Sequence, residues 1–314
     1  MFNLKNKIYF LMGITASGKT DYALQFAKFY RFEIISFDSV MIYKNFNIGS
    51  NKPNNNDLLY KPHYFMDLLH PNTIYTISDF YNESVNLIFD IFSRNNFPLF
   101  VGGSMMYFLS LEKGLAFLPN CNLFIRNKLL YLVDEFGWNF IYYKIKIFNN
   151  NKLMKFKLKD KFRLLRLIEI LILTGSLINN FEFLSKYYVL KNLDIVKFSL
   201  FINKLFLFKK IENRIYKMMN LGFINEMKYL YNKIDINKNC SSVKSIGYKQ
   251  IYDYLSGKIT FNEMLLDIVL KTKKLVKNQI TWLKFNNNII YLNNKNLFNS
   301  KFHYVFNYIK FKDF

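Results

Sequence analysis

The feature that most constrains the fold is an eight-residue stretch near the start of the chain. Residues 13–20 read Gly-Ile-Thr-Ala-Ser-Gly-Lys-Thr, which has the G-x-x-x-x-G-K-[ST] spacing of a phosphate-binding loop. The apolar run 8–12 before it is typical of a buried parallel strand, and residues 21–27 after it are typical of the first turns of a helix. A strand, this loop and a helix in that order predict an α/β fold with a parallel core sheet.

The residue types in this loop suit an anionic ligand. Glycines let the backbone turn tightly, so that successive N–H groups point at an anion, and the N-terminus of the following helix adds partial positive charge. Lys19 supplies a point charge for a terminal phosphate, and the Thr20 hydroxyl supplies a ligand for Mg²⁺. We therefore predict a diphosphate- or triphosphate-binding site made of Gly13, Ile14, Thr15, Ala16, Ser17, Gly18, Lys19 and Thr20.

Length and composition limit the class of protein. At 314 residues the chain can hold one large α/β domain plus an inserted or appended one. Its two cysteines, Cys121 and Cys240, lie far apart, which argues against a disulfide framework or a zinc site. The sequence has no run of 18 uncharged apolar residues, and residues 1–7 lead too directly into the phosphate loop to form a signal peptide. We expect a soluble, cytoplasmic monomer without a membrane partner.

The distribution of charge separates two parts of the chain, whose formal net charge is +22. Residues 1–120 hold 10 lysines and arginines against 9 aspartates and glutamates, whereas residues 121–314 hold 34 against 13. A basic part joined to a nearly neutral, phosphate-binding part indicates a polyanionic partner beside a small-molecule site. Nucleic acid is the first candidate. An acidic membrane surface is less favoured, because the positive charges are spread over several segments rather than gathered on one amphipathic face.

Polar residues follow two further strands of the predicted sheet. A second predicted buried strand, at 33–38, ends in the carboxylate Asp38, and the turn 102–104 follows a predicted strand at 98–101. In doubly wound folds, ligands bind at the C-terminal ends of the strands. We therefore expect Asp38 to lie near the phosphate loop.

Short motifs occur along the chain in a characteristic order from residue 8 to about residue 284. Besides the phosphate loop they are Asp38-Ser39 with Ile42-Tyr43, Ile48-Gly49 with Lys52-Pro53, Pro62-His63 with Asp67, Ser78-Asp79-Phe80, Val101-Gly102-Gly103-Ser104 with Tyr107, Gly114-Leu115 with Leu118-Pro119, Asp160 with Arg163, Arg166 and Glu169, Arg214 with Met218, Gly222-Phe223 with Glu226, residues 245–250, and residues 279–283. Together these motifs resemble the tRNA dimethylallyltransferase family, prenyltransferases that modify the adenosine just 3′ of the anticodon. The chain departs from the family at Lys273 and Asn278, where arginine is usual. It therefore lacks at these two positions the guanidinium group that can donate two parallel hydrogen bonds to one phosphate.

The resemblance implies a domain organisation. Residues 1–120 form the first part of an α/β, P-loop NTPase-like core with a parallel sheet, and residues 121–195 form a helical insertion domain that contacts tRNA. Residues 196–285 complete the core and add a C-terminal helical region, while the tail 286–314 has no role that we can assign.

Three local predictions complete the outline. The sequence predicts a short strand at 62–67 and a helix that runs from an N-cap at Ser78 to about Ser93. For residues 138–148 the β-branched and aromatic composition favours a strand, whereas the resemblance implies a helix. We follow the resemblance and expect a helix.

The reaction implied by the resemblance needs groups that we assign to three residues. In this reaction N6 of adenosine attacks C1 of dimethylallyl diphosphate, and diphosphate leaves. Asp38 is the expected base for the N6 proton, Thr20 the expected Mg²⁺ ligand, and Arg214 an expected cation for the leaving group. The residues that we expect to bind the anticodon stem-loop of tRNA are Ser39, Ile42, Tyr43, Ser104, Arg163, Arg166, Lys249, Lys273, Lys277 and Gln279.

Other interpretations of the same residues stay open. Asp38 is also suited to capping a helix or to holding a magnesium ion indirectly, and Ser39, Ser104 and Gln279 to being caps or buried hydrogen-bonding groups. The lysines of the C-terminal region are also typical of a solvated helix face. The phosphate loop alone would favour an ATP-dependent phosphotransferase. An isopentenyltransferase for free adenylates and a non-catalytic, nucleotide-gated RNA-binding protein are further alternatives.

Overall fold

In the computed structural model the described residues are 7–54, 58, 63–116, 118–148, 160–175, 190–201, 204–236 and 240–293. Pro62 and the part of the predicted tail after residue 293 lie outside them. The chain divides into two compact units. The first comprises residues 1–112 and 189–314, and the second comprises residues 113–188.

The first unit is built on a parallel β-sheet. Its strands in the described part of the chain are β1 (Lys7–Met12), β2 (Phe32–Phe37), β3 (His63–Tyr64), β4 (Phe97–Gly102), β5 (Asp194–Phe201) and β6 (Ile289–Asn293). They lie in the order β3-β2-β4-β1-β5-β6, and every neighbouring pair is parallel. Continuous apolar runs such as that of β1 are typical of strands covered on both faces. The predicted parallel α/β core is confirmed.

Helices occur between and after these strands along the chain. They are α1 (Lys19–Phe29), α2 (Ile77–Ser93), α3 (Met105–Lys113), α4 (Leu123–Phe148), α5 (Lys161–Thr174), α6 (Lys204–Asn220), α7 (Phe223–Lys233), α8 (Tyr248–Leu255) and α9 (Phe261–Phe285). One face of the sheet packs with the buried side chains Tyr22, Ala23 and Phe26 of α1 in a single apolar cluster. In the described part of the chain, the helices are too short or too polar to span a bilayer.

Two local predictions were wrong in their boundaries. The helix predicted to begin at Ser78 has its N-cap at Thr76, whose hydroxyl accepts a hydrogen bond from the Asp79 N–H while the Asp79 carboxylate accepts one from the Thr76 N–H. This reciprocal capping box satisfies the first free N–H groups, which a cap at Ser78 would not do. The strand predicted at 62–67 is reduced to β3, because Phe65 and Asp67 take positive φ angles of 63° and 53°.

The second unit contains α4 and α5. Residues 138–148 belong to α4, so the expectation of a helix there is confirmed, and a break at Gly137 (φ 77°) divides this helix into two parts. The insertion was predicted at 121–195, whereas the compact unit covers 113–188. The observed unit ends before the predicted residue 195, because β5 begins at Asp194 and pairs with β1 in the sheet of the first unit.

A buried carboxylate joins the parts of this second unit. Glu169 on α5 is fully buried and accepts hydrogen bonds from the backbone N–H of Asn122 and from the guanidinium groups of Arg126 and Arg166. Burial acts to raise the pKa of Glu169, but these hydrogen bonds outweigh it, so the pKa lies below its usual range. Glu169 therefore stays ionised and stabilises the packing of α4 on α5.

Glu33 on β2 plays a similar part in the first unit and permits a test of stability. Its carboxylate accepts hydrogen bonds from Arg94 at 2.8 and 3.0 Å, from the Tyr64 hydroxyl at 2.6 Å and from Asn96 at 2.7 Å. Burial acts to raise the pKa of Glu33, but these bonds lower it to about 2. Because the folded pKa lies below the unfolded one, the stabilisation is complete above pH 4.5 and is lost as the pH falls towards about 2.

We expect Glu33→Gln to lower the free energy of unfolding by about 2 kcal/mol at pH 7, because charge-assisted hydrogen bonds are replaced by a neutral acceptor and a misplaced donor. The loss should shrink between pH 4.5 and pH 2, where the wild-type carboxylate takes up its proton. Urea denaturation of both proteins across this range is the measurement. A constant difference between the two proteins at every pH would contradict the assignment.

Candidate active site

The predicted phosphate loop opens on a cavity of about 740 Å³ in the first unit. The loop follows β1, Asp38 follows β2, and Gly103 and Ser104 follow β4, so three neighbouring strands bring their C-terminal ends to this cavity. Side chains from α6, α7 and α9 complete the lining. The edge of the sheet that carries the site is therefore the one expected for a doubly wound fold.

The side chain of Lys19 folds back against the backbone of the phosphate loop. Lys19 Nζ donates hydrogen bonds to the carbonyl oxygens of Gly13 at 2.9 Å and Ile14 at 2.8 Å. Burial, and then the positive charge of Arg214, lower the pKa of Lys19 to about 7, while the charge of Asp38 acts in the opposite direction. A bound phosphate would favour the charged ammonium, because an anion close to a cation stabilises its protonated form.

Asp38 and Arg214 line the same cavity as this lysine. Asp38 Oδ1 accepts hydrogen bonds from the backbone N–H groups of Val40 at 2.8 Å and Met41 at 3.4 Å, which gives the side chain a capping role in the turn after β2. Burial lowers the pKa of Arg214, and the charge of Asp38 opposes this effect. The cavity thus brings Lys19 and Arg214 together with Asp38, whose carboxylate is held in a fixed turn.

Thr20 and its surroundings suit a magnesium ion that arrives with a diphosphate. Thr20 is the second residue of α1 and lines the cavity. Among the described residues no three or more His, Cys, Asp or Glu side chains cluster in a way that could hold a metal ion. Mg²⁺ commonly takes only one or two protein ligands and completes its shell with phosphate oxygens and water. The Thr20 hydroxyl fits that pattern.

Gln279 on α9 connects two of the loops at the cavity. Its side-chain oxygen accepts a hydrogen bond from the Thr15 N–H at 2.9 Å, and its side-chain nitrogen donates to the Gly103 carbonyl at 3.1 Å. A Cβ at Gly103 would lie 2.6 Å from that nitrogen, so a larger residue at this position would displace the Gln279 amide. Gln279 is 6% exposed, and both ends of its amide bind within the protein. Its geometry matches the alternative of a buried hydrogen-bonding group.

We expect Gln279→Leu to weaken the binding of inorganic diphosphate about tenfold, because the loop N–H groups lose their support from α9, and one lost hydrogen bond is worth about 1 kcal/mol. Thr281→Ala, on the exposed side of the same helix, should bind diphosphate normally. Titration calorimetry measures both. Unchanged affinity in Gln279→Leu would show that the loop does not depend on this contact.

The other residues predicted to bind tRNA fall into three groups. Ser39 and Ser104 line the cavity. Ile42 and Tyr43 are each 2% exposed, so their side chains face the interior and are unavailable to RNA in this conformation. The third group comprises the basic residues Arg163, Arg166, Lys249, Lys273 and Lys277.

The basic candidates differ in how far they are engaged. In the second unit Arg163 is largely exposed, whereas Arg166 donates to Glu169 and to the carbonyl of Pro119 and so stabilises its own unit. In the first unit Lys277 is exposed, Lys249 is partly exposed, and Lys273 forms an ion pair with Glu212 at 2.6 Å. A contact between tRNA and Arg166 or Lys273 would compete with these internal bonds.

The sequence assigned no role to two charged residues that bind the chain segment next to the cavity. Lys52 is buried and donates to the Tyr43 carbonyl and to Asp67, both at 2.6 Å. Glu226 accepts hydrogen bonds from the backbone of residues 47–49. Both residues belong to motifs of the resemblance, which was the available signal, but their partners are set by the tertiary fold.

The parallel sheet, the loop after β1 and the cavity at the strand ends define an α/β protein with a P-loop-like fold. Two family models match the sequence: IPP transferase over residues 41–286 and Isopentenyl transferase over residues 6–71. Because the first covers more than half of the chain, the chain belongs to the IPP transferase family. The family predicted from the motifs is confirmed.

Individual relatives agree with this assignment. The chain is 39% identical to a tRNA dimethylallyltransferase of Wigglesworthia glossinidia brevipalpis, with 98% of this chain and 95% of the relative covered. It is 36% identical to one of Blochmanniella floridana, with 92% and 91% covered.

Among solved structures, a tRNA isopentenylpyrophosphate transferase of Bacillus halodurans matches with a TM-score of 0.71 and 27% identity, covering 98% of this chain and 97% of that one. A eukaryotic dimethylallyltransferase acting on tRNA has a TM-score of 0.74 at 22% identity, covering 96% and 78%, and supports the fold alone.

Proposed function

We propose that this protein transfers a dimethylallyl group from dimethylallyl diphosphate to N6 of the adenosine that follows the anticodon in tRNA. The observation that carries the proposal is the single cavity that brings together the phosphate loop, the cation Arg214 and the carboxylate Asp38. Relatives named tRNA dimethylallyltransferase, similar over nearly the whole chain, support it.

The phosphate end of the cavity would bind and stabilise the leaving group. Backbone N–H groups of the loop, Lys19 and Arg214 present positive charge where the C1–O bond of the substrate breaks and its electron pair moves to diphosphate. Mg²⁺ held by Thr20 and the substrate's own phosphates would neutralise further charge on diphosphate. Fixed groups of this kind need no rearrangement during the reaction, which is why they lower the barrier.

Asp38 would act at the acceptor end. The N6 lone pair forms the new bond to C1, and the N6 proton passes to a carboxylate oxygen of Asp38 and then to water. The hydrogen bonds from Val40 and Met41 fix the orientation of this carboxylate. Because an adenine stacked in RNA cannot reach into a cavity, the base must first turn out of its stack.

The basic part of the chain would bind the RNA. Residues 121–314 carry 34 of the 44 lysines and arginines, and an enzyme for a free nucleotide has no evident need for them. The Isopentenyl transferase model matches residues 6–71, which keeps free adenylate as the second candidate acceptor. The two candidates differ in whether the reaction depends on a polynucleotide.

The direct test supplies labelled dimethylallyl diphosphate with either tRNA or AMP, followed by nucleoside analysis. We expect label in tRNA as a prenylated adenosine, and little reaction with AMP at about 1 mM, the upper end of typical KM values. Efficient prenylation of AMP would favour the adenylate enzyme. Transfer of phosphate from ATP would favour a phosphotransferase.

Salt dependence tests the role of the basic residues separately. We expect the affinity for tRNA to fall steeply with salt, with a log–log slope of about −0.7 to −0.9 per phosphate contact. Joint replacement of Lys249, Lys273 and Lys277 by glutamine should weaken tRNA binding and flatten this slope, with unchanged affinity for dimethylallyl diphosphate. An unchanged slope would remove these lysines from the RNA interface.

A further inference from the structure

A carboxylate on α7 holds part of the cavity wall through four hydrogen bonds. Glu226 Oε2 accepts from the backbone N–H groups of Asn47 at 3.1 Å and Ile48 at 2.7 Å. Its Oε1 accepts from the Gly49 N–H at 3.2 Å and from the Tyr248 hydroxyl at 2.7 Å. Consecutive N–H groups that converge on one anion resemble the nests with which loops bind phosphate. Here the anion is the Glu226 carboxylate, which lies 178 residues from Ile48 in the sequence.

The backbone held in this way, residues 47–51, is named the wall loop here. Further local hydrogen bonds hold it. The Ser50 hydroxyl donates to the carbonyl of the preceding Phe46 at 2.5 Å, and the Asn51 N–H donates to the Ile48 carbonyl at 3.0 Å. Gly49, Ser50 and Asn51 line the same cavity as Asp38. A displacement of the wall loop would therefore change the shape of the cavity.

Close packing reinforces these hydrogen bonds. A Cβ at Gly49 would lie 2.2 Å from the ring of Phe223 and 2.6 Å from that of Tyr248. Both rings are buried, and their centroids are 4.8 Å apart at an interplanar angle of 80°. Burial, followed by the negative charge of Glu226, raises the pKa of Tyr248, so its hydroxyl remains a donor. The wall loop thus has one well-defined position against α7 and α8.

A buried cation holds the chain just beside the wall loop. Lys52 Nζ donates to the Tyr43 carbonyl at 2.6 Å and to the side-chain oxygen of Asn47 at 3.3 Å. The segment from Asp38 to Lys52 is continuous in sequence, so the base candidate and the wall loop belong to one stretch of chain. The phosphate loop is a different stretch and has its own support from Gln279.

We propose that Glu226 is a positioning residue for prenyl transfer, which fixes the wall loop so that the cavity holds the acceptor adenine in line with Asp38. This inference rests on the proposed function. Because the phosphate loop is supported independently, Glu226 is assigned to the reaction of the acceptor and not to the binding of dimethylallyl diphosphate. Its role is indirect, since its carboxylate is occupied by backbone and tyrosine donors.

Glu226→Gln is the most informative variant, because it keeps the shape of the side chain and places an N–H₂ group against N–H donors. We expect kcat/KM for tRNA to fall about 10- to 100-fold, the size of effect that a misplacement of about 1 Å produces. The dissociation constant for dimethylallyl diphosphate should stay within about twofold. Amide hydrogen exchange should speed up at residues 47–49 and stay unchanged in β1. Glu226→Asp, which keeps the charge, should recover part of the rate.

Glu263→Gln is the matched control. Glu263 also accepts a backbone N–H bond, from Thr260 at 2.7 Å, but it caps the exposed start of α9. This control should cost some stability and leave kcat/KM for tRNA unchanged. Should Glu226→Gln fail to fold, Tyr248→Phe removes one of the four bonds and should shift kcat/KM and exchange at Gly49 in the same direction by less.

The possible outcomes distinguish the positioning role of Glu226 from the proposed function of the protein. If the wild-type protein prenylates tRNA and Glu226→Gln does so equally well, Glu226 has no positioning role. Loss of dimethylallyl diphosphate binding together with faster exchange in β1 would show a general structural role and also overturn the inference. A wild-type protein that transfers nothing to tRNA refutes the proposed function and, with it, this role.

Discussion

Lys19→Ala is expected to lower the rate of prenyl transfer by about 10²- to 10³-fold, the usual effect of removing one preorganised donor from a site of developing negative charge. The structure gives the physical reason. Lys19 Nζ lies against the phosphate loop, hydrogen-bonded to the carbonyls of Gly13 and Ile14, and lines the cavity together with Arg214. Removing it leaves the leaving diphosphate with one cation fewer in a partly dehydrated site.

Single-turnover transfer from labelled dimethylallyl diphosphate to saturating tRNA measures this effect. The exposed Lys28 on the same helix provides the control, and Lys28→Ala should react at the wild-type rate. The affinity of Lys19→Ala for tRNA should be unchanged, because Lys19 lies within the cavity lining. A Lys19→Ala protein that reacts as fast as the wild type would remove this residue from the leaving-group site.

Asp38→Asn is the second substitution with a large expected effect, a fall in the chemical step of about 10²- to 10⁴-fold. Asparagine keeps an oxygen that can accept the N–H bonds of Val40 and Met41, so the turn after β2 should persist. What it loses is the basicity needed to take the N6 proton. Binding of tRNA and of dimethylallyl diphosphate should both stay close to normal.

Comparison of binding with single-turnover rates distinguishes this role from capping. If Asp38 only caps the turn, Asp38→Asn should react at nearly the wild-type rate, since the capping oxygen is retained. A large fall in rate with intact binding assigns the proton acceptor. Asp79→Asn, which alters a capping carboxylate on α2 away from the cavity, serves as the control.

The parts of this site that were predictable from the sequence are those encoded locally. The phosphate loop, Asp38 after β2 and Ser104 after β4 each follow an apolar strand, and strand ends meet at one edge of a parallel sheet. The start of α2 was placed two residues late, because Ser78 and Thr76 are both good caps and only the reciprocal bond with Asp79 distinguishes them.

Contacts between distant segments could not be predicted in this way. Glu226 and Ile48 are 178 residues apart, and Gln279 and Thr15 are 264 apart, so no local pattern connects either pair. The burial of Ile42 and Tyr43 also depends on tertiary packing, although both were candidates for RNA contact from their motif. The motifs thus indicated where the candidate site lies, but not which groups each residue contacts.

Prenylation of paired anticodon stem-loops tests the central claim most directly. One RNA carries adenosine just 3′ of the anticodon, the other carries guanosine there, and both are offered together with AMP and labelled dimethylallyl diphosphate. We expect label on the adenosine-containing RNA, recovered as an N6-prenylated nucleoside with release of diphosphate, and none on the guanosine-containing RNA. Label that appears mainly on AMP, or equally on both RNAs, would contradict the account.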